Sequence, residues 1–149
     1  MIIVVDACAL AGELLRKRGR RILGADAPTF VVAEHAAGEA QRRLHVRRAE
    51  LKRRSGLTAD AVDLLIDAAL DLLGTCVQTV PGSVYASLQH VALRRIPADA
   101  DDWPSVAVAM LLGGAIWTED RDFFGCGCPV WRTETLLAEL VALEAEASP

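Results

Sequence analysis

The first six residues restrict the fold more than any other stretch of the chain. Ile2-Ile3-Val4-Val5 is an unbroken β-branched run with no polar alternation, so it has no face to give to water. Such a strand belongs inside a parallel sheet covered on both sides, with Asp6 at its carboxyl end. Parallel neighbours need crossover segments, usually helices, and the chain supplies them in alternation. Ala9, Leu10, Leu14 and Leu15 fall at helical spacing and predict a helix over Ala7 to Arg18. Pro28-Thr29-Phe30-Val31-Val32 restarts the chain after a turn, and Ala33 to Arg54 reads as a long Ala/Arg-rich helix ending near Ser55-Gly56. Thr58 is placed to cap the next helix, Ala59 to Leu73, whose Ala61, Val62, Leu65, Ile66, Ala69, Leu70 and Leu73 form one apolar stripe opposite Asp60, Asp63, Asp67 and Asp71. These two helices are expected to form an αα-hairpin at about 33–73.

Beyond the hairpin, Cys76 to Val80 is a short strand candidate, Val84 to Arg94 is weakly helical, and 97–104 is an acidic turn. Pro104 suits a first helical turn, where no N–H partner is needed. Val106 to Leu112 is a buried helix closed by Gly113-Gly114, Ala115 to Thr118 a strand, and Glu119 to Cys128 a loop. Pro129 to Trp131 is a last short strand and Thr133 to Glu146 a terminal helix. The alternation implies a parallel sheet with helices on both faces in one domain over residues 1–149, with no repeat or linker.

Composition excludes several classes. With 149 residues, 52% of them apolar, the chain can bury a real core, and it is neither disordered nor collagen-like. No apolar run approaches the roughly 18 residues of a membrane span. Met1 to Val5 is too short for a signal-peptide apolar region, so a cytoplasmic location is expected. Cys8, Cys76, Cys126 and Cys128 are expected to be reduced thiols. Cys126-Gly127-Cys128 could be half a zinc site, but no second pair has the required spacing, and His35, His45 and His90 are isolated.

The net charge of −4 conceals an uneven distribution. Residues 16–54 hold twelve Lys or Arg against the acids Asp26, Glu34, Glu39 and Glu50, a local +8 that leaves −12 for the remainder. Arg42, Arg43, Arg47, Arg48, Lys52, Arg53 and Arg54 wrap around one helix. Arg grips phosphate through a bidentate fork where Lys offers a point charge. A solvated helix surface would look the same, so this run permits a nucleic acid without requiring one.

The acids discriminate better. In an open α/β sheet the working site lies beyond the carboxyl ends of the strands. Asp6 ends the first strand, Asp120 and Asp122 follow Ala115 to Thr118, and Asp101 and Asp102 precede the buried helix, so all are expected at one edge. Each alone could be a cap or a turn residue. Together they are costly, because two carboxylates about 5 Å apart repel by roughly 3 kcal/mol at an effective dielectric of 20. A divalent cation compensates that repulsion, and oxygen-only ligands select hard ions such as Mg²⁺ or Mn²⁺, which also take phosphate oxygens. An acidic pocket beside an Arg-rich helix therefore points to phosphodiester hydrolysis.

Ile-Ile-Val-Val-Asp6-Ala-Cys-Ala, Glu39-Ala-Gln-Arg-Arg-Leu, Asp99-Ala-Asp-Asp102-Trp-Pro-Ser-Val-Ala-Val-Ala and Ile116-Trp-Thr-Glu-Asp120-Arg-Asp122-Phe, in this order over essentially the full length, resemble the PIN-domain ribonucleases of the VapC-like toxin kind. The resemblance implies a three-layer α/β/α sandwich with a central parallel sheet and an acidic pocket that binds Mg²⁺ or Mn²⁺ and cuts RNA. Matched position by position, Asp6, Glu39, Asp102 and Asp120 take the four acidic places, with Asp122 in support and Arg42, Arg43, Arg47 and Arg48 on the RNA backbone. Glu34 competes with Glu39; five residues apart, they diverge by about 140° on a helix and cannot share a pocket. Asp101 and Asp99 compete with Asp102, which directly precedes the helix. The Ser or Thr often found soon after the family's first acid is replaced by Cys8 or Ala9, which removes a supporting hydroxyl.

The resemblance also implies a small antitoxin partner and a homodimer. Some relatives process RNA without an antitoxin, and a catalytically degenerate interaction module is the alternative from another class. Phosphate-transfer domains on similar sheets fit less well: position 8 is Cys where a dehalogenase-like phosphatase needs Asp, and the only lysines, Lys17 and Lys52, are misplaced for a receiver domain.

Overall fold

The computed structural model describes residues 1–147. Five parallel strands form the sheet: β1 (Ile2–Val5), β2 (Thr29–Ala33), β3 (Gln78–Val80), β4 (Ala115–Trp117) and β5 (Val130–Trp131), in the order β3-β2-β1-β4-β5. Helices α1 (Ala7–Leu14) and α2 (Lys17–Leu23) join β1 to β2, and α3 (Glu34–Arg54) and α4 (Ala59–Cys76) join β2 to β3. Between β3 and β4 come α5 (Gly82–Tyr85), α6 (Gln89–Arg95) and α7 (Trp103–Leu112), and α8 (Thr133–Ala147) follows β5. The connections step outward from β1 to β3, then cross back to β4. With right-handed crossovers this puts the first helices and α7 on opposite faces, giving the three-layer α/β/α sandwich.

The central strand is as apolar in place as in sequence: Ile3, Val4 and Val5 are fully buried between β2 and β4. Helix α7 packs against β1, β2 and β4 with Val106, Ala107, Val108 and Ala109 all buried, and ends at Gly113, whose φ of 60° is the left-handed turn that stops it. Helix α3 packs on α1 and α4, and its buried positions Ala36, Ala37 and Ala40 are small enough to let the helices approach closely.

Several boundaries differ from the sequence expectations. The single helix Ala7 to Arg18 is two, because the chain turns extended at Arg16 (φ −106°, ψ 143°). Buried Glu13 accounts for the corner: Arg16 Nη1 donates to it at 2.7 Å, and Arg18 returns with Nε and Nη2 at 3.1 and 2.9 Å. A buried carboxylate needs such partners, and a straight helix could not bring both arginines back. Helix α4 continues to Cys76, so β3 starts at Gln78. The span Val84 to Arg94 is divided between α5, a 3-10 turn over Ala86–Leu88, and α6. Helix α7 starts at Trp103 with Pro104 in its first turn, and the 119–128 loop contains a 3-10 turn, Arg121–Phe123, that buries Phe123.

The acidic stripe of α4 finds its partner inside the molecule. Arg48 donates to Asp63 at 3.0 Å and also pairs with Asp67, and Lys52 reaches Asp63 at 2.8 Å. Arg48, expected on an RNA backbone, is therefore engaged with α4. Among the described residues no helix is long and apolar enough to cross a membrane.

Candidate active site

In the order 3-2-1-4-5 the connections diverge between β1 and β4, and the crevice beyond their carboxyl ends is where open α/β sheets bind ligands. Asp6 and Asp120 stand on its two sides. The ladder extends one residue past β1, Asp6 N–H donating to Trp117 O at 3.0 Å, so Asp6 comes opposite Thr118. The buried Thr118 hydroxyl donates to Asp6 Oδ2 at 3.2 Å and accepts the Asp120 N–H at 3.0 Å. One side chain thus fixes an acid from each strand. Asp120 in turn accepts the Asp122 N–H at 2.9 Å, which shapes the turn after β4.

Over this crevice lies a cavity of about 610 Å³ lined by six carboxylates, Asp6, Glu39, Asp99, Asp101, Asp102 and Asp120, together with Cys8, His35, Arg42 and Arg43. Glu39 comes from α3 and is bound by Arg43 Nε at 2.9 Å. Glu34 lies outside, where its Oε2 accepts the Gly82 N–H at 2.8 Å at the start of α5. Both Asp101 and Asp102 line the cavity, as does Asp99, whose Oδ1 accepts the Asp101 N–H at 3.1 Å. Asp122 is exposed and does not line it. Arg42 and Arg43 do, whereas Arg47 lines an adjoining groove and Arg48 faces α4. Thr118 is not among the site candidates of the sequence, and His35 is read there only as an isolated histidine. A Thr at the end of a strand that carries the next acid is the signal for the first; nothing local marks the second.

The electrostatics record the crowding. Burial raises the Asp6 carboxyl above its ordinary range, the Thr118 hydrogen bond opposing and Glu39 adding to the rise. Asp102, half-buried, is pushed up to about 7, first by burial and then by the charges of Asp6, Asp99, Asp120 and Glu39. A carboxyl raised in the folded state contributes stability that is complete below its unfolded value of 3.8 and lost as pH climbs through about 7. Full linkage would be worth roughly 4 kcal/mol; Asp102 is only half-buried, and solvent screening reduces this to roughly 1–2 kcal/mol. Asp102→Asn is therefore expected to match the parent's thermal stability near pH 3.5 and exceed it at pH 8 by about 2–6 °C in the absence of divalent ions. Equal melting temperatures across that range would contradict the crowding.

A hard divalent cation fits this donor set: all its carboxylates are oxygen ligands, and the charges of Asp6, Asp99, Asp120 and Glu39 add to the burial that raises Asp102. Among the described residues no three His, Cys, Asp or Glu side chains are drawn together tightly enough to hold an ion by themselves. An ion here would keep several of its own waters, as Mg²⁺ does.

The family model described as PIN domain matches residues 4–141. The chain belongs to the PIN domain family. PIN domains are commonly nucleases that use divalent metals. Two solved structures share the PIN fold of this chain. The protein PAE2754 from Pyrobaculum aerophilum is 21% identical with a TM-score of 0.69, the match covering 95% of this chain and 96% of that one. A chain of FitAB, solved bound to the IR36 DNA fragment, is 16% identical with a TM-score of 0.59, covering 88% and 94%. At these identities the likeness is one of fold. No curated protein matches the sequence.

Proposed function

We propose that this PIN domain is a metal-dependent endoribonuclease that hydrolyses RNA phosphodiester bonds. The observation that carries the proposal is the six-carboxylate cavity at the β1/β4 crevice with Arg42 and Arg43 on its wall. Asp6, Asp102 and Asp120, with Glu39, would hold Mg²⁺ or Mn²⁺; Asp122 would act only by shaping the Asp120 turn. When bound, the ion supplies a nucleophilic water at neutral pH and neutralises phosphate charge. The chain's own part is positional. Thr118 holds Asp6 and Asp120 on either side of the crevice. Arg43, already on Glu39, can exchange that partner for a phosphate oxygen, and Arg42 lies beside it at the cavity wall.

The toxin role, with a small antitoxin whose basic residues would answer the acids, and the homodimer rest on the resemblance of the sequence motifs to VapC-like proteins. Purified protein is expected to cut single-stranded RNA with Mn²⁺, to stop with EDTA, and to resume when Mn²⁺ is returned. Cleavage undiminished in EDTA would overturn the proposal. Expression without an antitoxin should arrest growth, and Asp120→Asn should relieve the arrest.

A further inference from the structure

Next to the acidic cavity is a second one, of about 500 Å³, between α1, α3 and α4. Leu44, Leu51 and Leu65 give it an apolar lining, and Arg16, Arg43 and Arg47 add guanidinium groups. Cys8 and Arg43 line both cavities, so the two adjoin. The three arginines are paired with Glu13, Glu39 and Glu50, yet their side chains remain 60%, 49% and 55% exposed. Arg47 is the freest of the three, because its pair with Glu50 is exposed on both sides and such pairs are weakly held, whereas Arg16 is anchored to the buried Glu13. Gly12 also lines the groove, and a Cβ built on it meets nothing within 4 Å, so the α1 backbone is open to whatever enters.

Apolar lining, guanidinium groups and adjacency to the proposed phosphodiester site together describe a seat for an aromatic, anionic ligand. Nucleobases stack on arginine planes and apolar side chains while their phosphates take the guanidinium N–H groups. We propose that this groove seats one unpaired nucleobase of the RNA strand, that of a nucleotide flanking the phosphate held at the acidic cavity. The proposal rests on the nuclease reading above and deepens it: the substrate is single-stranded at this position, since a paired base would first have to leave its stack.

The test uses a short fluorescent oligoribonucleotide, intact or with an abasic residue at each position in turn, bound at low salt with Ca²⁺ in place of Mn²⁺, a hard ion that takes the same oxygen ligands but activates water poorly, so that the phosphate is held while cleavage is slow. The parent is expected to lose about tenfold in affinity when one particular position is abasic. Gly12→Leu projects side-chain atoms from a point where a Cβ meets nothing within 4 Å, and should bind the intact strand about as weakly as the parent binds that abasic one, without telling the two apart. Arg47→Ala, at an exposed position, should shrink the same difference if Gly12→Leu does not fold. Parent protein indifferent to abasic residues at every position overturns the proposal, as does an equal loss by Gly12→Leu for base-free polyphosphate. Gly12→Leu that binds and discriminates like the parent would leave the groove to a protein partner and also overturn it. Failure of the nuclease reading shows separately: a strand bound with base dependence but left uncut in Mn²⁺ keeps the groove and loses the enzyme.

Discussion

Asp120→Asn should cut RNA about a thousandfold more slowly than the parent in Mn²⁺ while folding normally. The substitution keeps an oxygen to accept the Asp122 N–H, so the turn after β4 survives, and it removes a single negative charge. One unit charge at roughly 4 Å from a cation is worth about 4 kcal/mol at an effective dielectric of 20, which is about a thousandfold in rate. Asp6→Asn should lose as much for the same reason and, unlike a core substitution, should not lower metal-free stability at neutral pH. Burial already disfavours the Asp6 carboxylate, and the Thr118 hydroxyl can donate equally well to an amide oxygen. Thr118→Val separates positioning from charge. It leaves all six carboxylates in place but deprives Asp6 of its donor and Asp120 N–H of its acceptor, and is expected to cost about 10–100-fold, with Thr118→Ser restoring most of it. Single-turnover cleavage with Mn²⁺ measures all of these. Parent-like rates from Asp6→Asn and Asp120→Asn would remove both residues from the chemistry.

What could be read from the sequence divides along a physical line. The sheet was legible because Ile2 to Val5 and Phe30 to Val32 are apolar without alternation, a pattern only a doubly covered strand tolerates. Asp6, Asp102 and Asp120 could be placed at one edge because strand ends and helix starts fix where a backbone emerges. Side-chain partnerships were not legible. Arg42, Arg43, Arg47 and Arg48 look alike along α3, yet a helix turns 100° per residue, and they divide among the acidic cavity, the adjoining groove and the acids of α4. Asp122 is expected in support of Asp120, but the 3-10 turn over Arg121–Phe123 buries Phe123 and leaves Asp122 exposed. The break between α1 and α2 was hidden because its cause, the buried Glu13, carries no mark in sequence that separates it from a surface acid.

That same corner gives the largest expected loss of stability, through a glycine whose conformation is ordinary. A Cβ placed on Gly19 would stand 2.1 Å from Glu13 O and 2.4 Å from Glu13 Cβ, and since one of these is backbone, no rotamer change relieves it. Gly19→Ala therefore has to push α2 off the end of α1. Ile22 and Leu23, buried on α2, would move with it, and the two arginines that neutralise Glu13 would be drawn out of reach. Overpacking of this kind costs roughly 3 kcal/mol, and the partial loss of a buried ion pair adds to it. In a domain of this size the melting temperature should fall by about 6–12 °C. Gly12→Ala is the matched control: it lies on α1, a Cβ there touches nothing, and the gain in helix propensity should leave the protein unchanged or up to about 1 kcal/mol more stable. If both variants melt with the parent, α2 does not rest on Glu13 as described. If both are destabilised alike, the effect belongs to glycine flexibility in general. A loss in Gly19→Ala with Gly12→Ala at or above the parent ties the loss to the Gly19–Glu13 contact, and through α1, which starts beside Asp6, to the floor of the acidic cavity.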